Sequence, residues 1–120
     1  MPVRSLDSSV LRWPDRDAVD RAVRGWATEV GRNDRRIRRI GYFGSYARGN
    51  WGVGSDVDLV VVLESSDEAF ERRAIAFDTL PLPVPADLFV YTVDEWERMR
   101  REGGLPKTVT PEVVWVFTGG

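Results

Sequence analysis

An α/β (α+β) domain, built on a small mixed β-sheet with helices packed mainly on one face, is the fold class this sequence predicts. Three observations predict it. The run Leu59-Val60-Val61-Val62-Leu63 is strongly β-prone and is bounded upstream by a glycine-rich segment. Helical periodicity appears both before and after that run. The elements then follow in the order α-β-(short α)-β-α-β-α-β, which suits one sheet with packed helices. At 120 residues and 42% apolar content, the chain reads as one domain with one core, residues 1–120, with 1–13 a loose N-terminal arm.

The elements can be taken in order. Trp13-Pro14-Asp15 reads as a helix start, with proline tolerated in the first turn. From Asp17 onward, Ala18, Val19, Ala22, Val23, Trp26, Ala27 and Val30 fall on one helical face, and Gly31 and Asn33 suit the end. Arg36 to Phe43 predicts a strand that ends in a Gly44-Ser45 turn, followed by a short helical turn from Tyr46 to Arg48. Gly49 to Gly54 is a loop, and Val57 to Leu63 is the clearest strand. Ser66 to Phe77 predicts a helix with Ser66 as N-cap. Pro81 to Pro85 predicts an extended connector, Asp87 to Tyr91 a strand, Val93 to Glu102 a helix ended by Gly103-Gly104, and Val113 to Phe117 the last strand. Trp26, Trp96 and Trp115 are expected in the core.

Composition removes several kinds of chemistry. The chain has no cysteine, which excludes disulfides, thiolate zinc sites and cysteine nucleophiles. It has no histidine, so acid-base or metal chemistry must use carboxylates, and oxygen-only sites favour Mg²⁺, Mn²⁺ or Ca²⁺. The net charge of -2 gives no support for nucleic-acid binding by bulk electrostatics. The arginines of Gly31 to Ile40 (Arg32, Arg35, Arg36, Arg38, Arg39) read as a solvated face. No apolar run is long enough to span a bilayer and no signal-peptide core opens the chain, so a soluble, cytoplasmic protein is expected.

The residues that carry chemistry begin in the stretch from Gly41 to Glu64. Aspartate is depleted in strands and costly to bury, yet Asp56 and Asp58 stand at the mouth of the most apolar strand. Residues i and i+2 of a strand face one side, with Cα atoms about 6.5–7 Å apart. Such a pair suits divalent cations that sit about 3.5–4 Å apart, and it is unfavourable without them because like charges repel. Upstream, Gly44 allows close approach of the backbone to a ligand, and Ser45 offers an N–H and a hydroxyl to an anion. Asp87 opens its own strand after a proline-rich connector. If the two strands are neighbours, its carboxylate joins the pair, where it can bind metal and accept a proton from an attacking hydroxyl.

The stretch from Gly44 to Val61, GSYARGNWGVGSDVDLVV, resembles the signature of the minimal nucleotidyltransferase (MNT) family of the DNA polymerase β-like superfamily. Gly44-Ser45, ten residues, then Asp56-x-Asp58 matches its pattern, as do Ala47-Arg48-Gly49 and the later ADLFVYT around Asp87. The resemblance covers Ile37 to Tyr91, and the whole chain more loosely. It implies a polymerase β-like palm core and Mg²⁺-dependent transfer of a nucleoside monophosphate, by default AMP from ATP, to a hydroxyl, with release of pyrophosphate. It implies two Mg²⁺ ions on Asp56, Asp58 and Asp87, and nucleotide phosphates on Gly44, Ser45 and, as one of two readings, Arg48; the other reading has Arg48 holding the loop. Many small members are MntA-type antitoxins paired with a HEPN-type toxin RNase, and some transfer AMP to a toxin tyrosine. A partner protein is therefore the expected acceptor, since the chain is too short for a separate acceptor-binding domain. Two alternatives remain: a non-catalytic antitoxin that uses the same fold to neutralise its partner, and a small-molecule nucleotidyltransferase. Homo- or hetero-oligomers both fit. Two departures stand out: Tyr46 follows Gly-Ser where arginine is frequent, and the segment from Gly103 to Phe117 is longer than usual, with Lys107 near the phosphates or simply solvated. Trp51 either stacks on a base or partner, or is buried beneath its loop.

Overall fold

The computed structural model describes residues 13–103 and 112–119. The expected N-terminal arm through residue 12, Lys107 and the Leu105-to-Pro111 segment lie outside the described residues.

Helix α1 spans Arg16–Asn33. Asp15, not the first turn around Pro14, supplies its cap: the Asp15 carboxylate accepts from the Ala18 N–H at 2.9 Å. Pro14 therefore precedes the helix. Val19, Val23, Trp26 and Ala27 form the buried stripe that the periodicity predicts. Strand β1 (Ile37–Phe43) leads into a one-turn helix α2 (Ser45–Arg48), and β2 (Val57–Leu63) keeps its predicted bounds.

The helix expected from Ser66 to Phe77 does not form as such. Helix α3 covers only Phe70–Arg73 and passes into a 3₁₀ turn, Ala74–Ala76. Ser66 is spent on a local turn, its hydroxyl accepting from the Glu68 N–H at 3.1 Å. Arg73 is drawn inward to the Glu95 carboxylate at 2.6 Å and the Val90 carbonyl at 3.2 Å. The proline connector is bent rather than extended, because it turns Leu82 and Val84 into the core. Strand β3 (Ala86–Thr92), helix α4 (Val93–Glu102) and strand β4 (Val114–Thr118) complete the described elements. Thr92 and Glu95 form a reciprocal capping box that starts α4 at once where β3 ends.

The strands form a four-stranded mixed sheet in the order β3-β2-β1-β4. β1 is antiparallel to β2 and to β4, and β2 is parallel to β3. Val57, Leu59, Val61 and Leu63 of β2 face α1 in the larger core, with Ile40 and Tyr42 of β1. The Tyr42 hydroxyl ties the sheet to α1, donating to Asp20 at 2.7 Å. Val60 and Val62 face the other way, into a smaller cluster with Tyr91 and Trp96 under α4. Contrary to the expectation of helices mainly on one face, α1 covers the face with the larger core and α4 packs on the opposite face, because β2 buries apolar side chains in both directions. Trp26 and Trp96 are buried as expected; Trp115 is half-buried, with the Arg39 guanidinium 4.4 Å above its ring. Among the described residues, no helix is long and apolar enough to cross a membrane.

Candidate functional site

Two backbone facts assemble the site. The Val57 N–H donates to the Pro85 carbonyl at 2.9 Å, which aligns the entrances of β2 and β3. The parallel register then sets Asp58 directly against Asp87. On its other side, Asp58 pairs with Phe43, the residue before Gly44. Asp58 therefore sits between Asp87 and the Gly44-Ser45 turn, on the sheet face shared with Val60 and Val62. Helix α4 starts at the opposite end of β3 from Asp87.

Gly44 is required here twice over. Its φ of 81° and ψ of -151° suit glycine alone, and a Cβ on it would overlap Asp58 Oδ2. The turn that follows is rigidly backed. The Tyr46 ring is fully buried, its hydroxyl donates to the Pro14 carbonyl at 3.1 Å, and Trp51 stacks on it with centroids 5.6 Å apart. Trp51 is thus half-buried against Tyr46. Ser55 closes the loop, its hydroxyl accepting from the Gly52 N–H at 2.8 Å, and delivers the chain to Asp56.

Asp56 is exposed just before β2, Asp58 is half-buried, and Asp87 is exposed on β3. Burial first, and then the charges of Asp87 and Asp56, push the Asp58 carboxyl above its usual range. Arg48 opposes that shift, and Glu112 adds to it. The strands are neighbours, as convergence requires, but the three side chains are not gathered into a cage. Among the described residues, no group of three or more Asp, Glu, His or Cys side chains is close enough to hold a metal ion. The donor chemistry nonetheless fits a hard divalent cation: the donors are oxygen atoms only, and their mutual repulsion at Asp58 is what a cation relieves.

Sequence reasoning missed Glu112. It lies just before β4, and its Oε2 accepts from the Gly44 N–H at 2.8 Å and pairs with Arg48 Nη1 at 3.1 Å. Arg48 thus engages a protein carboxylate from the far end of the chain. The only local hint was an acidic residue preceding a terminal strand; nothing local says that this strand lies beside β1. Of the arginine cluster, Arg36 pairs with Asp34 and Arg38 with Glu64, while Arg32 and Arg35 are exposed.

The family described as "Nucleotidyltransferase domain" matches residues 23–114, from the middle of α1 into β4. The chain belongs to that family. The matched span contains Gly44, Ser45, Arg48, Asp56, Asp58, Asp87 and Glu112, so the whole constellation falls inside the nucleotidyltransferase domain. Among solved structures, the fold is similar to that of a candidate nucleotidyltransferase from Sulfolobus solfataricus, with a TM-score of 0.64. The likeness covers 86% of this chain and 83% of that one at 18% identity, and so speaks to the fold. No curated protein matches the chain.

Proposed function

We propose that this nucleotidyltransferase domain transfers a nucleoside monophosphate, AMP from ATP by default, to a hydroxyl on a partner protein and releases pyrophosphate. The observation that carries this reading is the register of Asp58 against Asp87 beside the Gly44-Ser45 turn.

The residues divide the work as follows. Gly44 and Ser45 receive the β- and γ-phosphates, and Arg48 adds a positive charge close to them. Asp56, Asp58 and Asp87 are the groups that would hold Mg²⁺; two bound ions would neutralise the phosphates and lower the pKa of the attacking hydroxyl. Asp87, exposed on β3, accepts the proton of that hydroxyl. The acceptor oxygen forms its bond to the α-phosphorus as the bond from the α-phosphorus to the bridging oxygen breaks, and that oxygen leaves with pyrophosphate. The fixed sheet register supplies orientation. The support for a HEPN-type toxin as acceptor, in the cytoplasm, is the resemblance of Gly44 to Val61 to the antitoxin-type minimal nucleotidyltransferases. A second reading is a non-catalytic antitoxin that uses the same fold to neutralise its partner.

The test is ATP labelled at the α-phosphate, incubated with Mg²⁺, the protein and lysate of its own host. A label that moves covalently to a protein band with wild type, and not with the Asp56→Ala/Asp58→Ala double variant, is the expected result. That variant should keep its fold. Equal transfer by the double variant refutes the site. A label on RNA or a small molecule overturns the protein acceptor. Toxin neutralisation retained by the double variant, with no transfer by wild type, selects the second reading.

A further inference from the structure

The Glu112 carboxylate bridges two groups of the turn that the proposed function assigns to nucleotide phosphates. It accepts the Gly44 N–H at 2.8 Å and pairs with the Arg48 guanidinium at 3.1 Å. Carboxylate and phosphate oxygens are equivalent acceptors for such donors, and the phosphate usually carries more charge. We infer that Glu112 is an internal stand-in for a phosphate group, which a triphosphate must displace from Gly44 and Arg48 in order to bind. The inference rests on the nucleotide-binding reading of that turn.

Three features support an exchange. The pair is accessible, with side-chain exposures of 50% for Arg48 and 27% for Glu112, so it is weak enough to open. Glu112 stands near Asp58, which already faces Asp87 and Asp56, so its charge adds to an acidic end of the sheet that an incoming polyanion must enter. Arg48 sits on the same turn as Gly44 and Ser45, so a phosphate that takes over the Gly44 N–H meets the guanidinium as well. The rival account makes Glu112 a clamp that holds the start of β4 to the end of β1, just beyond the Tyr42–Val114 pair. The two accounts differ in sign. Removing a clamp loosens the turn and weakens anion binding, whereas removing a competitor strengthens it.

Inorganic tripolyphosphate is the probe, because it needs no choice of base. Its affinity is measured by calorimetry at low ionic strength for wild type, Glu112→Gln and Glu112→Ala, each also in an Arg48→Ala background. Both Glu112 variants are expected to bind about two- to fivefold more tightly than wild type, in line with an exposed ion pair. The gain should shrink when Arg48 is absent, since the two side chains act on one another. Glu112→Gln keeps size and a carbonyl acceptor for Gly44, so it carries the test if Glu112→Ala fails to fold. Unchanged or weaker binding in a folded variant, with wild type still binding, overturns the stand-in and leaves the nucleotide reading in place. An equal gain with and without Arg48 also overturns it, because bulk charge would then suffice. No binding by any form removes the phosphate reading of the turn, and the stand-in with it.

Discussion

Replacing Gly44 with alanine tests whether the turn and the acidic strand are as tightly joined as the structure has them. The backbone at φ 81° and ψ -151° lies where side chains other than glycine's are strained, at about 1–3 kcal/mol. The new Cβ would also overlap Asp58 Oδ2, and pushing that half-buried carboxylate off its rotamer costs about 1 kcal/mol more. A total of about 3 kcal/mol is expected. For 120 residues the unfolding entropy is roughly 0.25 kcal/mol/K, so Tm should fall by about 12 °C. Scanning calorimetry on Gly44→Ala, Asp58→Ala and the double variant separates the two contributions. In the Asp58→Ala background the overlapping oxygen is gone, and the cost of Gly44→Ala should drop by about 1 kcal/mol while the backbone strain persists. A Gly44→Ala protein melting within about 2 °C of wild type, or an identical cost in both backgrounds, would refute the close packing of the turn on Asp58.

Two further outcomes concern charge. Asp58 has its folded-state pKa raised above 3.8 by burial, Asp87 and Asp56, so the native state holds a proton more firmly than the unfolded chain. Metal-free wild type should therefore gain stability as pH falls through that raised value towards 3.8, and Asp58→Asn should be the more stable protein at pH 7 and lack this rise. Mg²⁺ should raise the Tm of wild type and not that of Asp58→Asn; a thermal-shift series in pH and Mg²⁺ reads both, and a destabilised Asp58→Asn contradicts the repulsion. Glu95 behaves in the opposite sense. The Arg73 hydrogen bonds hold it at about 2 instead of 4.5, so its contribution is full above 4.5 and is lost as pH falls through about 2. That shift corresponds to at most about 3 kcal/mol. Glu95→Gln should flatten the acid limb of a urea-unfolding pH profile, and an unaltered limb would show that the Arg73 pair contributes little.

Legibility of the fold followed the range of the forces involved. Strand β2 and helix α4 have their predicted bounds because their causes are local: a β-branched run in one case, and in the other a helix held by the Thr92/Glu95 capping box. The helix expected after Ser66 starts only at Phe70, because the Ser66 hydroxyl takes the Glu68 N–H in a local turn and Ala69 is extended, while the Glu68 carbonyl is met by the Arg73 side chain. Pro14 fell outside α1 because Asp15 competes for the cap and wins with a side-chain acceptor.

The candidate site divides along the same line. The sequence by itself determined the chemistry available: no histidine, no cysteine, two aspartates at strand spacing, and a Gly-Ser turn upstream. Donor type is a property of the chain and could be read in advance, whereas the strand period assumed for the pair reaches Asp58 only, since β2 begins at Val57 and Asp56 precedes it. Only the tertiary structure decided that β3 lies parallel to β2 with Asp87 against Asp58, that Asp58 packs beneath Gly44, and that Glu112 reaches Gly44 across 68 residues. Strand order and register come from how the two faces of the sheet bury their side chains, which is a property of the whole core, and no local stretch of sequence encodes it.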